Sequence, residues 1–520
     1  MVYFYAQPAQ PLSMKKSILF LSSLLLVCTT VKSQISYEER IELELKDGYE
    51  NEKIISFGSH GFILSAKNSK SSGKEIEWKY DKYDVNLQAT ETKKILLGKK
   101  LTFEASYTDE HRTHSFYKDR KGNYSLITIE ASNLEVATVT GLLPRKATVF
   151  SMSVLGDYVF LEVYIKNSPL IVSVNWKTGE HKTIPILIDN VSSKKTRLKD
   201  FQLLKGTNEL FMYVSAEVEK KKSDVYVVSF NANGEKKEIF NLTKGIDKNL
   251  VDISCSKVAD DTYIYTGTYA TNNAYSSEGI FFCQAKKGKV DYIKFYNYLD
   301  LKNFLSYLPE KKQEKIEKKK KRKEKKGKDY SLSYKIAAHE VTPLDDGYLF
   351  LGEAYYPTYR TVTYTTTPTS NGVASTSTQT RLVFDGFQYT HAMLGKFDKA
   401  GSLVWDQTFD MWSSYKPYSV RNLISIAEKN QNSLKLVFAS HNKITAKSFD
   451  FDGTVIQENQ SDEIKTPNKE DKTKYTLSAI DFWYDNYFIA YGKQKIINKD
   501  SNRKTKRKRE VYFISKIKFE

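Results

Sequence analysis

One kind of segment keeps returning along the chain: a turn with Gly, Asp or Asn, an aromatic or apolar anchor, then alternating apolar and polar residues. It occurs as HGFILSA at Phe62, GDYVFLEVY at Tyr158, NELFMYV at Phe211, DDTYIYTGTY at Tyr263, DDGYLFLGEAY at Tyr348, NSLKLVFAS at Leu434 and DNYFIAYG at Tyr487. Period-two alternation bounded by turn residues specifies a strand. The anchors Tyr158, Phe211 and Tyr263, and again Leu434 and Tyr487, recur at ~53 residues. The interval from Phe62 to Tyr158 holds two short units with a weak member near Phe116, and the two remaining long intervals hold one unit plus an insertion each. A second signature follows in most units: a strand ending FNANG (230–234), FDKAG (397–401) or FDFDG (449–453), with looser copies at Asn175 and Ala285. Asx and Gly between two alternating runs make a hairpin turn, because they tolerate positive φ. Each unit is therefore predicted to form four short antiparallel strands, in the sixth at residues 336–344, 348–356, 392–397 and 403–409.

Four-stranded units in series are the pattern of an all-β fold, the β-propeller. Composition agrees: 13% aromatic residues with only 24 Gly and 11 Pro suits packed strands and excludes a collagen-like, disordered or coiled-coil chain. Once the leader and insertions are set aside, the period predicts eight blades; seven would need units of about 60 residues. The last unit supplies three strands. Residues 40–46 (RIELELK) form an alternating strand left over before the first unit, and pairing it with 510–519 would complete the last blade and close the ring. Residues 34–520 thus read as one propeller domain, with insertions at 302–335, 357–391 and 495–510.

The sixth unit, LDDGYLFLGE with LGKFDKAGSLVWDQTF, resembles the repeat of exported bacterial propellers of the quinoprotein-like kind, in which a turn ending in Gly (Gly401) is followed by Trp four residues on (Trp405). The resemblance implies the fold. It does not imply the quinone-dependent dehydrogenase activity found in that superfamily, which uses a vicinal cysteine pair, and no CysCys occurs here.

Residues 14–33 read as a secretory signal peptide: Lys15 and Lys16, an apolar run over 18–27, then Val31 and Ser33 before a cut. The run is too short for a membrane anchor. The Ser33/Gln34 junction resembles leaders of exported proteins from Bacteroidetes-type bacteria. Val27 departs from the small residue that lipidation at Cys28 would require. Cys255 and Cys283 are predicted to lie two strands apart in one sheet, beyond the ~7 Å Cα limit for a disulfide, and hence to be free buried thiols. The chain ends on a strand with no sorting module after it, so the predicted address is the periplasm or the periplasmic side of the outer membrane.

The net charge of +18 is local. Residues 310–328 carry twelve Lys/Arg against four Glu, and 503–509 (RKTKRKR) carry six basic residues and no acid. The first of these is predicted to be a solvated basic helix, preceded by Leu301, Phe304, Leu305 and Leu308 at helical spacing, able to pack back on the propeller. Residues 357–391, rich in Thr, Ser and Tyr around Asn371 and Gly372, read as an extended hairpin arm or a flexible loop. In four-stranded blades the first-to-second and third-to-fourth connections lie on one face, and the second-to-third and blade-to-blade connections on the other. All three insertions belong to the second set, which marks one face as a working surface whose +14 would stand against a near-neutral opposite face.

Candidate binding residues on that face are Lys320, Arg322 and Lys323 in the basic run, Tyr359, Arg360, Tyr364 and Arg381 in the arm, and Arg503, Arg507 and Arg509 in the last insertion. No HExxH, GxSxG or P-loop motif occurs. His111 and His114 have a spacing that opposes a shared strand face, so they read as surface residues and not as a metal site. The acid pairs Asp260/Asp261, Asp345/Asp346 and Asp450/Asp452 fall in turns, where Asp bonds its own backbone. No catalytic residue, metal or cofactor is predicted. The reading is a non-enzymatic envelope scaffold that binds a protein or an anionic lipid or glycan, with peripheral membrane contact and no nucleic acid; the alternative is a carbohydrate-active enzyme working in the propeller mouth.

Overall fold

Each anchor named above begins or lies within the second strand of an antiparallel blade sheet; among the described residues there are eight of these, seven four-stranded and one, in the sixth unit, five-stranded because its first strand is in two pieces. The structure is a computed structural model that describes residues 35–520 apart from 45–47, 72, 205–206, 272–274, 367–368, 371–372, 375–376, 414, 428–432, 501–505 and 520. The leader and Cys28 therefore lie outside the described residues.

Blade one runs Tyr49–Ser56, Phe62–Asn68, Glu75–Tyr83 and Ala89–Gly98, and every later blade repeats this up-and-down order. Phe116 marks the second strand of blade two, Arg112–Lys118. Blade eight is made of Asp471–Tyr484, Tyr487–Asn498 and Lys508–Phe519, and its fourth strand is Ile35–Glu44 from the other end of the chain. The ring is thus an eight-bladed β-propeller closed by an N-terminal strand, which pairs from Ile35 opposite Phe519 to Glu44 opposite Val511 with one bulge between Tyr37 and Glu39.

Blades pack face to face, so their middle strands are buried on both sides and read as nearly continuous apolar runs. Tyr158–Ile165 is an example, with Val159, Phe160, Leu161 and Val163 all fully buried. Outer strands such as Ala89–Gly98 are largely solvated. Eight apolar clusters fill the eight gaps between neighbouring blades, including the closing gap, where Phe62, Leu64 and Tyr83 meet Trp483, Ile489 and Tyr512.

The FDxxG turns have a second task beyond reversing the chain. Gly453 has φ 91°, and a Cβ there would stand 2.6 Å from Cγ of Trp405 in the preceding blade; Trp405 Nε1 donates to Phe451 O at 3.0 Å. Gly401 has φ 75° and seats on Phe282 of blade five, while Tyr296 Oη donates to Gly401 O at 2.6 Å. The glycine supplies both the left-handed backbone and the space for the ring beside it.

Cys255 and Cys283 flank Tyr265 across blade five and are free and buried; burial pushes the Cys283 thiol up to about 12. Blade six departs from the expected strands. Its first strand is broken into Lys335–Ala338 and Thr342–Leu344; His339 N still donates to Leu351 O of the second strand, and the ladder is interrupted beyond it. His339 Nε2 meets the fully buried Glu353 carboxylate at 2.7 Å, and Val341 N donates to Ser254 Oγ of blade five. Glu353 also accepts from Leu423 N and Ile424 N, tying blade six to blade seven. The second and third strands, Gly347–Thr366 and Ser377–Asp398, run far past the sheet as a two-stranded arm. The apolar stretch from Leu301 is a series of turns and not a helix, although Leu301 and Phe304 are buried as the spacing requires. The helix, Glu310–Glu324, starts only after Pro309.

Candidate functional site

Because every blade alternates strand direction, the connection carrying the helix, the arm, and the segment joining the second and third strands of blade eight all leave by one face. The first two are neighbours in space. Tyr307, from the connection before the helix, stacks on His391 at the base of the arm with ring centroids 3.7 Å apart, and Phe304 packs edge-on to the same ring.

The helix presents Gln313, Ile316, Lys320 and Lys323 toward the body and its remaining side chains to solvent. Lys320 is an anchor: its Nζ donates to Leu299 O at 2.9 Å and pairs with Asp300 at 3.1 Å. Arg322 is exposed and Lys323 half-buried. Glu314 with Lys318 and Glu317 with Lys321 form surface pairs one turn apart, which offset part of the repulsion among so many cations.

In the arm, Tyr364 and Arg381 lie diagonally across the two strands. Arg381 Nη2 donates to Tyr364 Oη at 2.9 Å, with the guanidinium 4.6 Å from the ring centroid. Arg360 pairs with Asp385 at 3.5 Å, and Asp385 also takes Lys416 at 3.1 Å. Tyr359 packs on Phe384, which in turn touches Phe387 and Tyr418. The arm's base is thereby joined to the 411–424 connection, where Phe387 N also donates to Pro417 O.

The third group of candidate residues divides. Arg507 is exposed, and Arg503 lies outside the described residues. Arg509 corrects the sequence reading: it is no loop-tip cation, since it sits inside the last strand with its side chain 5% exposed, against Asp471 and Glu42. Its charge is spent on ring closure and is not on offer to a partner.

Charge separates by face more sharply than the two basic runs imply. Among described residues outside strands, connections on the insertion side carry a net charge of +23, whereas those on the opposite side carry −10. The expected near-neutral face is acidic, because its tight turns use Asp: Asp84, Asp109, Asp157, Asp260, Asp345 and Asp485 all lie there. Lys appears instead in most connections of the insertion side. One cluster, Lys99, Lys100, Arg120 and Lys121 between blades one and two, lines a cavity of about 650 Å³.

Inner strands of blades four to six line a cavity of about 220 Å³ in the channel, with Lys199, Asp200, Asp252, Ser254, His339 and Glu340 on its walls. Asp200 is open to channel solvent but ringed by protein. That enclosure, reinforced by Glu162, Asp252 and Glu340, raises its carboxyl to about 7. Burial raises Asp252 and lowers Lys199 as well. These inward-facing acids escaped sequence reasoning, since only the known direction of each inner strand distinguishes them from surface carboxylates. Among the described residues no group of three His, Cys, Asp or Glu is arranged to hold a metal. His114 is another correction: it is fully buried, bonded through Nδ1 to Thr128 Oγ1 at 2.8 Å and packed against Trp176, and burial lowers it to about 4.

No family model and no curated protein matches the chain. Among solved structures it is similar to the WD40 domain of SCAP from fission yeast, at 8% identity over 93% of this chain and 98% of that one, with a TM-score of 0.36. It is also similar to the β-propeller domain of the Trilobed protease from Pyrococcus furiosus, at 8% identity, 79% and 99% coverage and a TM-score of 0.34. The Cps50 (Swd1) β-propeller domain from Myceliophteria thermophila follows at 6% identity, 92% and 99% coverage and a TM-score of 0.34. The propeller assignment itself stands on the sheet topology described above.

Proposed function

We propose that the protein is an exported, non-enzymatic scaffold of a bacterial envelope that binds an anionic partner through its insertion face. The observation that carries this reading is the division of connection charge, +23 on one face against −10 on the other. A disc polarised in this way presents its basic side to anionic matter and turns its acidic side away. The leader at residues 14–33 supports export, which would place the disc among phosphate-bearing lipids and acidic glycans. The ring supports a scaffold role, since its blades are locked by eight apolar clusters while the arm and helix project. Retention on immobilised polyphosphate that weakens as salt rises tests the reading; retention that ignores salt, or none at low salt, contradicts it.

Among the acids of the channel, Asp200, with its carboxyl near 7, suits the proton donation that the carbohydrate-active alternative needs. The adjoining space of about 220 Å³ is smaller than the ~300 Å³ at which ligand pockets usually begin. Activity screening on polysaccharides, with Asp200→Asn as control, separates the two.

A further inference from the structure

The insertion face carries more than cations. Tyr356, Tyr359 and Leu382 in the arm, and Trp412, Tyr418 and Val420 in the adjoining 411–424 connection, are all exposed, Trp412 by 54% and Tyr418 by 69%. Tyr359, Leu382 and Tyr418 share one face of the arm, and the arm's base meets the connection that leads into the basic helix where His391 stacks on Tyr307. Phe384 joins Tyr359 to Tyr418, and the ion pair of Lys416 with Asp385 fixes the connection to the arm. Trp412 is held outward by its backbone. Met411 N and Trp412 N both donate to Thr390 O, Met411 turns inward, and Trp412 takes φ 39°, a conformation that costs a bulky residue energy.

A soluble polyanion would satisfy the cations of this sector and leave its Trp, Tyr, Leu and Val side chains in water. A protein hot spot is ordinarily a packed concave site. The six apolar side chains stand instead on a projecting ribbon and loop, and none of them lines the cavities described above. Aromatic rings with a polar edge, next to a field of Lys and Arg, match the headgroup level of an anionic bilayer, where rings sit at the interface and cations meet phosphate. Among the described residues no helix is long and apolar enough to cross a membrane, so the contact would be peripheral.

We infer that this sector docks the disc on an anionic phospholipid bilayer, with Tyr359, Trp412 and Tyr418 at headgroup depth and the basic helix on the same face. The inference rests on the proposed use of the insertion face and goes further by naming the partner. The test is cosedimentation of the full chain with vesicles of phosphatidylcholine alone and of phosphatidylcholine mixed with phosphatidylglycerol, alongside retention on polyphosphate. Binding is expected to the mixed vesicles only, with a blue shift in tryptophan emission from Trp412, the most exposed tryptophan of the described chain.

The double variant Trp412→Gly, Tyr418→Ser keeps a residue suited to positive φ at the first position, so its melting curve should match the parent. It should stay on polyphosphate, lose about tenfold in vesicle affinity and lose the blue shift. Vesicle binding unchanged in that variant overturns the inference. Retention on polyphosphate without vesicle binding also overturns it but leaves the proposed function standing, and failure on both probes removes both.

Discussion

Arg509 grips Asp471 at two points, Nη1 to Oδ1 at 3.0 Å and Nη2 to Oδ2 at 2.6 Å, and sets Nε on Glu42 at 3.1 Å. Those three residues belong to the third, first and fourth strands of blade eight, and the fourth strand comes from the opposite end of the chain. One guanidinium therefore spans the junction that closes the ring. Replacing Arg509 by Met should cost about 3–5 kcal/mol, because Asp471 would be left buried without its partner. Burial alone would raise the Asp471 carboxyl, and Arg509 more than reverses this, holding it below its ordinary value. A depressed carboxyl stabilises the fold above about pH 4 and loses that effect as pH falls through its folded value. Urea unfolding should show the full deficit of the variant at neutral pH and a smaller one near pH 3. A chain lacking Ile35–Glu44 should lose the single cooperative transition, since it leaves the Lys508–Phe519 edge unpaired.

Gly453 lies against Trp405 with φ 91°. Gly453→Ala adds a Cβ where the ring stands and forces an L residue into the left-handed region, which together should cost about 2 kcal/mol or more. Gly401→Ala should behave alike against Phe282. Alanine at Gly245, which has positive φ but no atom within 4 Å, should cost only the conformational part. Thermal melts of the three variants check the ranking.

His391 is fully buried beneath Tyr307, and burial lowers it to about 3; His114 is lowered to about 4 for the same reason. Both are neutral in the fold and gain a proton on unfolding below about pH 6.5, so stability falls with pH by up to ~1.4 kcal/mol per unit for each until its folded value is reached. Asp200, raised to about 7, acts in the opposite sense, because between about pH 4 and 7 the fold holds a proton that the unfolded chain releases. Glu162, Asp252, Asp406, Asp410 and Asp481, all raised by burial, act with Asp200, so the pH slope is the balance of the two sets. His391→Phe removes one histidine from that balance and should leave the variant losing less stability than the parent as pH falls from 6.5 to 5, read from urea midpoints across the range.

The ring was legible because its determinants are local. Tyr158, Phe211, Tyr263, Tyr348 and Tyr487 mark second strands, and the Asx and Gly residues of the FDxxG turns mark hairpins, each by conformational preference alone. What escaped depends on distant partners. The break beyond His339 goes with Ser254 in the neighbouring blade, which takes Val341 N, while Glu353, fourteen residues on, holds the His339 ring. Arg509 reads as one more cation in RKTKRKR until Asp471 and Glu42 are known to face it. The acidity of the second face was hidden for another reason: each of its Asp residues has a sufficient local explanation as a turn former, and only the ring gathers them on one side.

On the function proposed, the position of charge on the disc, and not its total, governs binding. Lys321→Glu with Arg322→Glu changes the insertion face, and Lys287→Glu with Lys399→Glu changes the opposite face by the same net charge; all four side chains are exposed. Affinity for immobilised polyphosphate should be measured for both pairs across a salt series. The first pair should weaken binding and flatten its salt dependence, while the second should leave both unchanged. Equal loss in the two pairs would contradict the proposed function.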